Sequence, residues 1–328
     1  VSYPSYDNNK MANGVDAAYY ASMLADQSRP LINYATQQRT APGSTFKMVT
    51  ATAGLLEGKI STNTAITCYG IFETVAPPPR CWIYPGGTHG SLNLTGAICV
   101  SCNVFFYELG YEMGLVDGNY SSSEGMEILN KYVSMYGLNE PTGIEIDENT
   151  PHAATEDSVR SAIGQANANY TTVSLARYVT AVANKGASYD LTLIDRVTDR
   201  GGNLLDKKEA TVRNTIPLAD SEWNAIHEGM RQVIERKTYF DDLAVAVAGK
   251  TGTAQENPTR PSHALFVGYA PYPEPDIAIA TRVAFGYSSD FAAQITREVF
   301  KYYFGLAEQS EIITGVAGEL EGGTAPVD

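Results

Sequence analysis

The chain changes character along its length, and that change constrains its fold more than any other feature. Between about Pro42 and Lys185, apolar residues recur at helical spacing in four runs that each close on glycine: TFKMVTATAGLLEG, LTGAICVSCNVFFYELG, SSEGMEILNKYVSMYG and TTVSLARYVTAVANKG. A glycine just past the last periodic residue ends a helix because it takes the left-handed backbone conformation without a Cβ clash. Four separate capped helices are expected there. From Tyr189 onward strand patterns take over. LTLIDRVTDRGGNLL reads as a hairpin around Gly201 and Gly202, a helix follows near Asp220 to Glu235, and then come AVAVAGKTGTA, HALFVGYA and DIAIATRVAF. Short connections between those three runs argue for an antiparallel meander, with the amphipathic DFAAQITREVFKYYFG packed over it. The predicted class is α+β: an antiparallel β-sheet covered by helices, plus an all-helical subdomain. The closing GVAGELEGGTAPVD is acidic and Gly-rich and reads as a disordered tail.

Charge and length narrow the function. The 328 residues suffice for one large domain or two packed subdomains. With 23 basic against 37 acidic residues the net charge is −14, which repels nucleic acid and anionic membrane surfaces. VSYPSYDNNK has neither the basic start nor the apolar middle of a signal peptide, and no apolar stretch reaches the roughly 18 residues a membrane helix needs. Any anchor or export signal is expected to lie outside this chain. The four cysteines, Cys68, Cys81, Cys99 and Cys102, fit no zinc pattern: Cys99 and Cys102 form a C-x-x-C without a second pair or a histidine cluster at ligand spacing. No metal and no cofactor are expected. Cys68 and Cys81 bracket the Pro-rich CYGIFETVAPPPRC, and a disulfide there or free thiols are equally open readings.

Chemistry first shows in APGSTFK. Ser44 and Lys47 stand three apart, so on a helix they share one face, with the serine at the end where unpaired N–H groups favour negative charge. A neutral amine beside a hydroxyl can take its proton when burial or a cationic neighbour lowers the amine's pKa. Chance alone produces about one S-x-x-K in a chain of this length. Its company carries more weight. Lys250-Thr251-Gly252 sits inside an apolar strand-like run, where lysine and glycine are poor strand formers, and Thr253 presents a second hydroxyl on the same face as Thr251. Such an edge suits an extended peptide ending in a carboxylate. Of three S-x-N candidates, Ser61-Thr62-Asn63 reads as a turn and Ser91-Leu92-Asn93 as a helix cap. Ser101-Cys102-Asn103 lies among apolar residues, where polar groups need partners, and is the one selected.

Ser44-x-x-Lys47, Ser101-x-Asn103 and Lys250-Thr251-Gly252, in that order, resemble the motif set of penicillin-binding proteins and serine β-lactamases. APGSTFK, SCNVFFYELG, IGQANANYTTVSLA, VAGKTGTAQ and SHALFVGYAP extend the resemblance from about Val1 to Gly305, and the overall look is that of the monofunctional, class B transpeptidases. The resemblance implies a transpeptidase domain over 1–305, with a helical subdomain at about 44–185, a sheet subdomain at about 1–43 and 186–305, and a flexible acidic tail over 306–328. It implies that Ser44 attacks the penultimate D-alanine carbonyl of a peptidoglycan stem peptide, with Lys47 as base and Ser101 relaying the proton. Asn103 would hold the donor peptide and the lysine. Lys250, Thr251, Gly252 and Thr253 would bind the substrate, the backbone N–H groups of Ser44 and Thr253 forming the oxyanion hole. Implied partners are D-alanyl-D-alanine ends, β-lactam antibiotics and proteins of a cell-wall synthesis complex, at the extracytoplasmic face of a bacterial membrane.

The departures from the family pattern are also specific. Members have two strands before the nucleophile, whereas VSYPSYD looks like only the end of the second, so a fragment is expected. Ala166 follows IGQ where glycine is usual, which questions that turn's conformation. APPPRCWIYPGGTHG has no family reading, although it is long enough to overhang the cleft, and His263 reads as a structural polar residue. A serine β-lactamase needs a deacylating base, and Glu127 in MEILN is one position out of register for it. A D,D-carboxypeptidase or a β-lactam sensor would carry the same nucleophile. An inactive cell-wall scaffold would not need it, and the intact motif residues oppose that reading.

Overall fold

A computed structural model describes residues 1–12, 14–255 and 259–313. Its centre is a three-stranded antiparallel meander of Ala248–Ala254, His263–Ala270 and Ile277–Val283, with Lys250 opposite Val267 and Phe266 opposite Thr281. The middle strand is buried throughout, and its alternation divides the core in two. Leu265, Val267 and Tyr269 join a large cluster that holds Tyr178, Val179 and Val182 of the Thr172–Ala183 helix. Ala264, Phe266 and Ala270 face the other way, onto Ala292, Ala293 and Phe300 of the Ser289–Tyr303 helix. The sheet is therefore covered on both faces, as the α+β expectation requires.

The helical part is built around Lys47–Leu56, whose residues from Lys47 to Leu55 are all buried. It packs against Asn103–Met113 and Ser122–Met135. Three of the four glycine-closed helices end as read, with Gly58, Gly137 and Gly186 at positive φ.

The second does not. LTGAICVSCNVFFYELG forms two helices, Leu94–Cys99 and Asn103–Met113, and Gly110 lies inside the latter. Gly110 has a packing role instead, since a Cβ there would sit 2.4 Å from the Ser158 carbonyl oxygen. The break is a Schellman turn: the Ser101 N–H donates to the Ile98 carbonyl and the Cys102 N–H to that of Ala97, with Ser101 at φ +54°. Serine occupies the left-handed position that glycine usually fills, so the stop was not readable as one.

Residues 1–7, read as the end of a strand, form none. The hairpin is present as Arg196–Thr198 and Leu204–Lys207, and the Asp220–Glu235 helix matches its expected span. Within 306–313, read as tail, Gln309–Ile312 is a short helix; the remainder of that tail lies outside the described residues.

Candidate active site

Ser44 lies in a 3₁₀ turn, Gly43–Phe46, that runs directly into the Lys47–Leu56 helix. In a 3₁₀ turn positions i and i+3 eclipse, which keeps Ser44 and Lys47 on one side. Two glycines bring this turn against the Ala248–Ala254 strand. A Cβ on Gly43, at φ +53°, would stand 2.6 Å from the Thr253 carbonyl oxygen, and one on Gly252 would stand 2.7 Å from Thr45 Cγ2 and 3.0 Å from the Pro42 oxygen. Only glycine permits that approach. The turn is also tied from behind: the Gly43 N–H donates to the Gly164 carbonyl at 3.0 Å, and the Tyr178 hydroxyl to that of Thr45 at 2.9 Å. Gln165, beside Gly164, reaches the Thr253 carbonyl at 3.4 Å. Ala166 keeps the turn at φ +67°, so alanine adopts there the conformation glycine would favour.

Lys47 is fully buried. Its Nζ donates to the Ser101 carbonyl at 2.8 Å, to Ser101 Oγ at 3.0 Å and to Asn103 Oδ1 at 2.8 Å, with the Phe106 ring 5.4 Å away. The strained backbone of Ser101 serves this contact, because the turn presents carbonyl and hydroxyl to the same amine. The other S-x-N candidates do local work: Ser61 bonds Thr64, and Asn93 caps the Leu94–Cys99 helix by accepting from the Gly96 N–H. Across the cleft Lys250 and Thr251 are buried, and the Lys250 Nζ donates to the Thr251 carbonyl at 3.0 Å. Ser101, Lys250 and Thr251 line one cavity of about 190 Å³ together with Trp82, Cys99, Val100, Val233, Arg236 and Lys237. No carboxylate is among these residues, and Glu127 is exposed on its helix. His263 is structural, its Nδ1 accepting the Phe285 N–H at 3.1 Å.

Trp82 belongs to the segment without a family reading. It donates from its indole N–H to the Val100 carbonyl at 3.0 Å and so stands beside Ser101. The segment also carries a group of side chains that could hold a metal, which the cysteine spacing alone does not show. All four cysteines are free thiols, and the ligand atoms of Cys68, Cys81, His89 and Cys102 lie within 4.8 Å of one another. Cys99, taken as the partner of Cys102, lies on the cavity instead. The Cys102 thiol donates to Cys81, holding the Cys81 thiol well below and pushing its own well above the ordinary range, so the pair shares a proton. Three sulfurs and one imidazole nitrogen fit a closed tetrahedral zinc site of the structural kind. Such an ion would clamp the 69–89 segment to Cys102, between Ser101 and Asn103, and the Asn103 N–H already reaches Cys81 Sγ at 3.2 Å. The missed signal was His89, which had to be counted with cysteines distant in sequence.

Comparison with known proteins agrees with this architecture. Residues 1–301 match the penicillin binding protein transpeptidase domain, and the chain belongs to that family. It is 30% identical over 352 residues to peptidoglycan D,D-transpeptidase MrdA of Haemophilus influenzae, covering 92% of this chain and 50% of that protein. It is 28% identical over 295 residues to penicillin-binding protein 2B of Streptococcus pneumoniae, covering 80% and 43%. The chain thus spans about half the length of the curated relatives it matches. Among solved structures, Pseudomonas aeruginosa PBP2 in complex with WCK 5153 superposes with a TM-score of 0.77 at 26% identity, over 94% of this chain and 71% of that one. The imipenem acyl-enzyme of penicillin-binding protein A from M. tuberculosis shares the fold, with a TM-score of 0.80 at 24% identity over 93% and 69%. Among the described residues no helix is long and apolar enough to cross a membrane.

Proposed function

We propose that this chain is the catalytic part of a peptidoglycan D,D-transpeptidase that works through a serine acyl-enzyme. The observation that carries the reading is the buried Lys47 amine, held by Ser101 and Asn103 one turn after Ser44. In its neutral form Lys47 keeps two of its three donated bonds, and the lone pair so freed takes the proton of Ser44 Oγ, which attacks the penultimate D-alanine carbonyl. The tetrahedral oxyanion is received by the N–H groups of Ser44 and Thr253, whose backbones meet through Gly43. The C–N bond then breaks, and Ser101 passes the proton to the departing D-alanine amine; an amine of a neighbouring stem next attacks the ester, the bond from Ser44 Oγ to the acyl carbon breaks, and the amine's proton returns to Ser44. Lys250, Thr251 and Thr253 hold the donor's carboxylate along the strand, as in peptide binding by strand addition. β-Lactams acylate the same serine. The reaction takes place at the extracytoplasmic face of the membrane, within a cell-wall synthesis complex, on one catalytic domain of helical and sheet parts.

A β-lactamase would need a base that aims water at the ester, and among the described residues lining the cavity of Ser101 and Lys250 there is no carboxylate for that task. The test is a chromogenic cephalosporin followed beside a donor–acceptor stem-peptide assay. Colour that stops near one equivalent, with amine-dependent cross-linking, supports the transpeptidase. Sustained turnover contradicts it, and release of D-alanine without cross-linking identifies a carboxypeptidase.

A further inference from the structure

The cavity shared by Ser101 and Lys250 has a second cationic wall. We propose that Arg236 binds the substrate's free carboxylate alongside Lys250 and Thr251, making the end of the Asp220–Glu235 helix part of the recognition site. This rests on the transpeptidase reading and deepens it.

Three observations carry it. First, on a chain of net charge −14, the described residues lining this cavity include Arg236, Lys237 and Lys250 and no Asp or Glu. A concave site with that balance attracts anions. Second, two of the three cations are already engaged: Lys250 donates to the Thr251 carbonyl, and Lys237 pairs at 2.7 Å with Asp290, which also accepts from the Tyr239 hydroxyl. Arg236 is exposed, and the neighbouring Glu235 pairs with Arg231 at 3.1 Å instead. Among the described residues Arg236 has no carboxylate partner, and it lines the cavity together with Cys99 and Val100. Third, the chemistry matches. The guanidinium presents a planar pair of donors that fits a carboxylate in two-point fashion, which a lysine amine cannot do. A cation at a helix C-terminus also suits the dipole, but that service does not require it to line the cavity beside Ser101 and Lys250. Trp82 closes the wall beside Cys99 and Val100, limiting what can accompany the carboxylate.

The experiment compares benzylpenicillin, which carries the carboxylate, with its methyl ester, which does not. Arg236→Gln should lower the second-order acylation constant for benzylpenicillin about tenfold, as expected for one partly exposed charge-assisted pair. The loss should lie in the binding constant rather than in the first-order acylation step. Arg236→Lys should recover part of it, and the ester should react equally with wild type and variants. Unaltered thermal midpoints show that the exposed position leaves the fold alone. An equal loss with the ester, or no loss with benzylpenicillin, overturns the assignment. A wild type that forms no adduct with benzylpenicillin contradicts the transpeptidase reading itself, a result separable from the other two.

Discussion

Gly43→Ala perturbs the joint between the two halves of the site. At φ +53° a Cβ costs about 1–2 kcal/mol of backbone strain. Loss of glycine's freedom in the unfolded chain returns about 0.4–1 kcal/mol. The new methyl would also lie 2.6 Å from the Thr253 carbonyl oxygen, a backbone atom in a paired strand that has no rotamer to escape into. Relieving that overlap requires the turn or the strand to shift by several tenths of an ångström, at about 1–3 kcal/mol. The expected loss of stability is about 1–5 kcal/mol, measured by urea denaturation with unchanged slope. Acylation should fall further than stability, because the shift separates Ser44 from Thr253, and a misplacement near 1 Å costs about 10²-fold. Stopped-flow acylation with a fluorescent penicillin, under conditions where the variant remains folded, measures this. Near-normal stability together with near-normal acylation would refute the backbone contact as the element that aligns the site.

Four further outcomes are expected. Lys47→Arg should slow acylation by about 10²–10⁴-fold in a folded protein, since arginine stays protonated; a near-normal rate removes the lysine as base. Ala166→Gly should stabilise by about 0.5 kcal/mol, relief of left-handed strain exceeding the entropy cost at an exposed position, and a thermal scan showing clear destabilisation would contradict this. The purified protein should carry about one zinc per chain by elemental analysis, and Cys68→Ala should abolish it; metal-free protein that retains full thermal stability would count against the cluster as a zinc site. Burial beside Trp223 and Tyr269 holds the His227 imidazole below 6.5, its Nε2–H donating to the Val182 carbonyl. The unfolded chain therefore takes up this proton first as pH falls through 6.5, stability drops there, and wild type minus His227→Gln should isolate that slope.

What the sequence made legible were features that repeat or stand in local register. The meander was readable because His263–Ala270 is apolar on both faces and the neighbouring strand-like runs lie only a few residues away in sequence. Ser44 and Lys47, three apart at the head of an apolar helix, were readable for the same reason. Ser101 was selected among three S-x-N candidates by its apolar surroundings, but the turn that presents it was hidden, because a left-handed serine does not look like a helix stop. The glycine at position 110 misled in the opposite sense: close packing on Ser158, not chain reversal, requires it. The sulfur and imidazole cluster was missed since its ligands meet only when the 69–89 segment folds back on Cys102. Arg236 gave no sequence signal, as a basic residue at a helix end is ordinary until the cavity beside it is seen.

Everything proposed for this site depends on Ser44, beside the buried Lys47, being the nucleophile. Intact-mass and peptide-mapping spectrometry after benzylpenicillin treatment tests that most directly. One penicilloyl adduct per chain is predicted, on the peptide containing Ser44, persistent for many minutes and absent from Ser44→Ala. An adduct that survives Ser44→Ala, or maps to another residue, would contradict it.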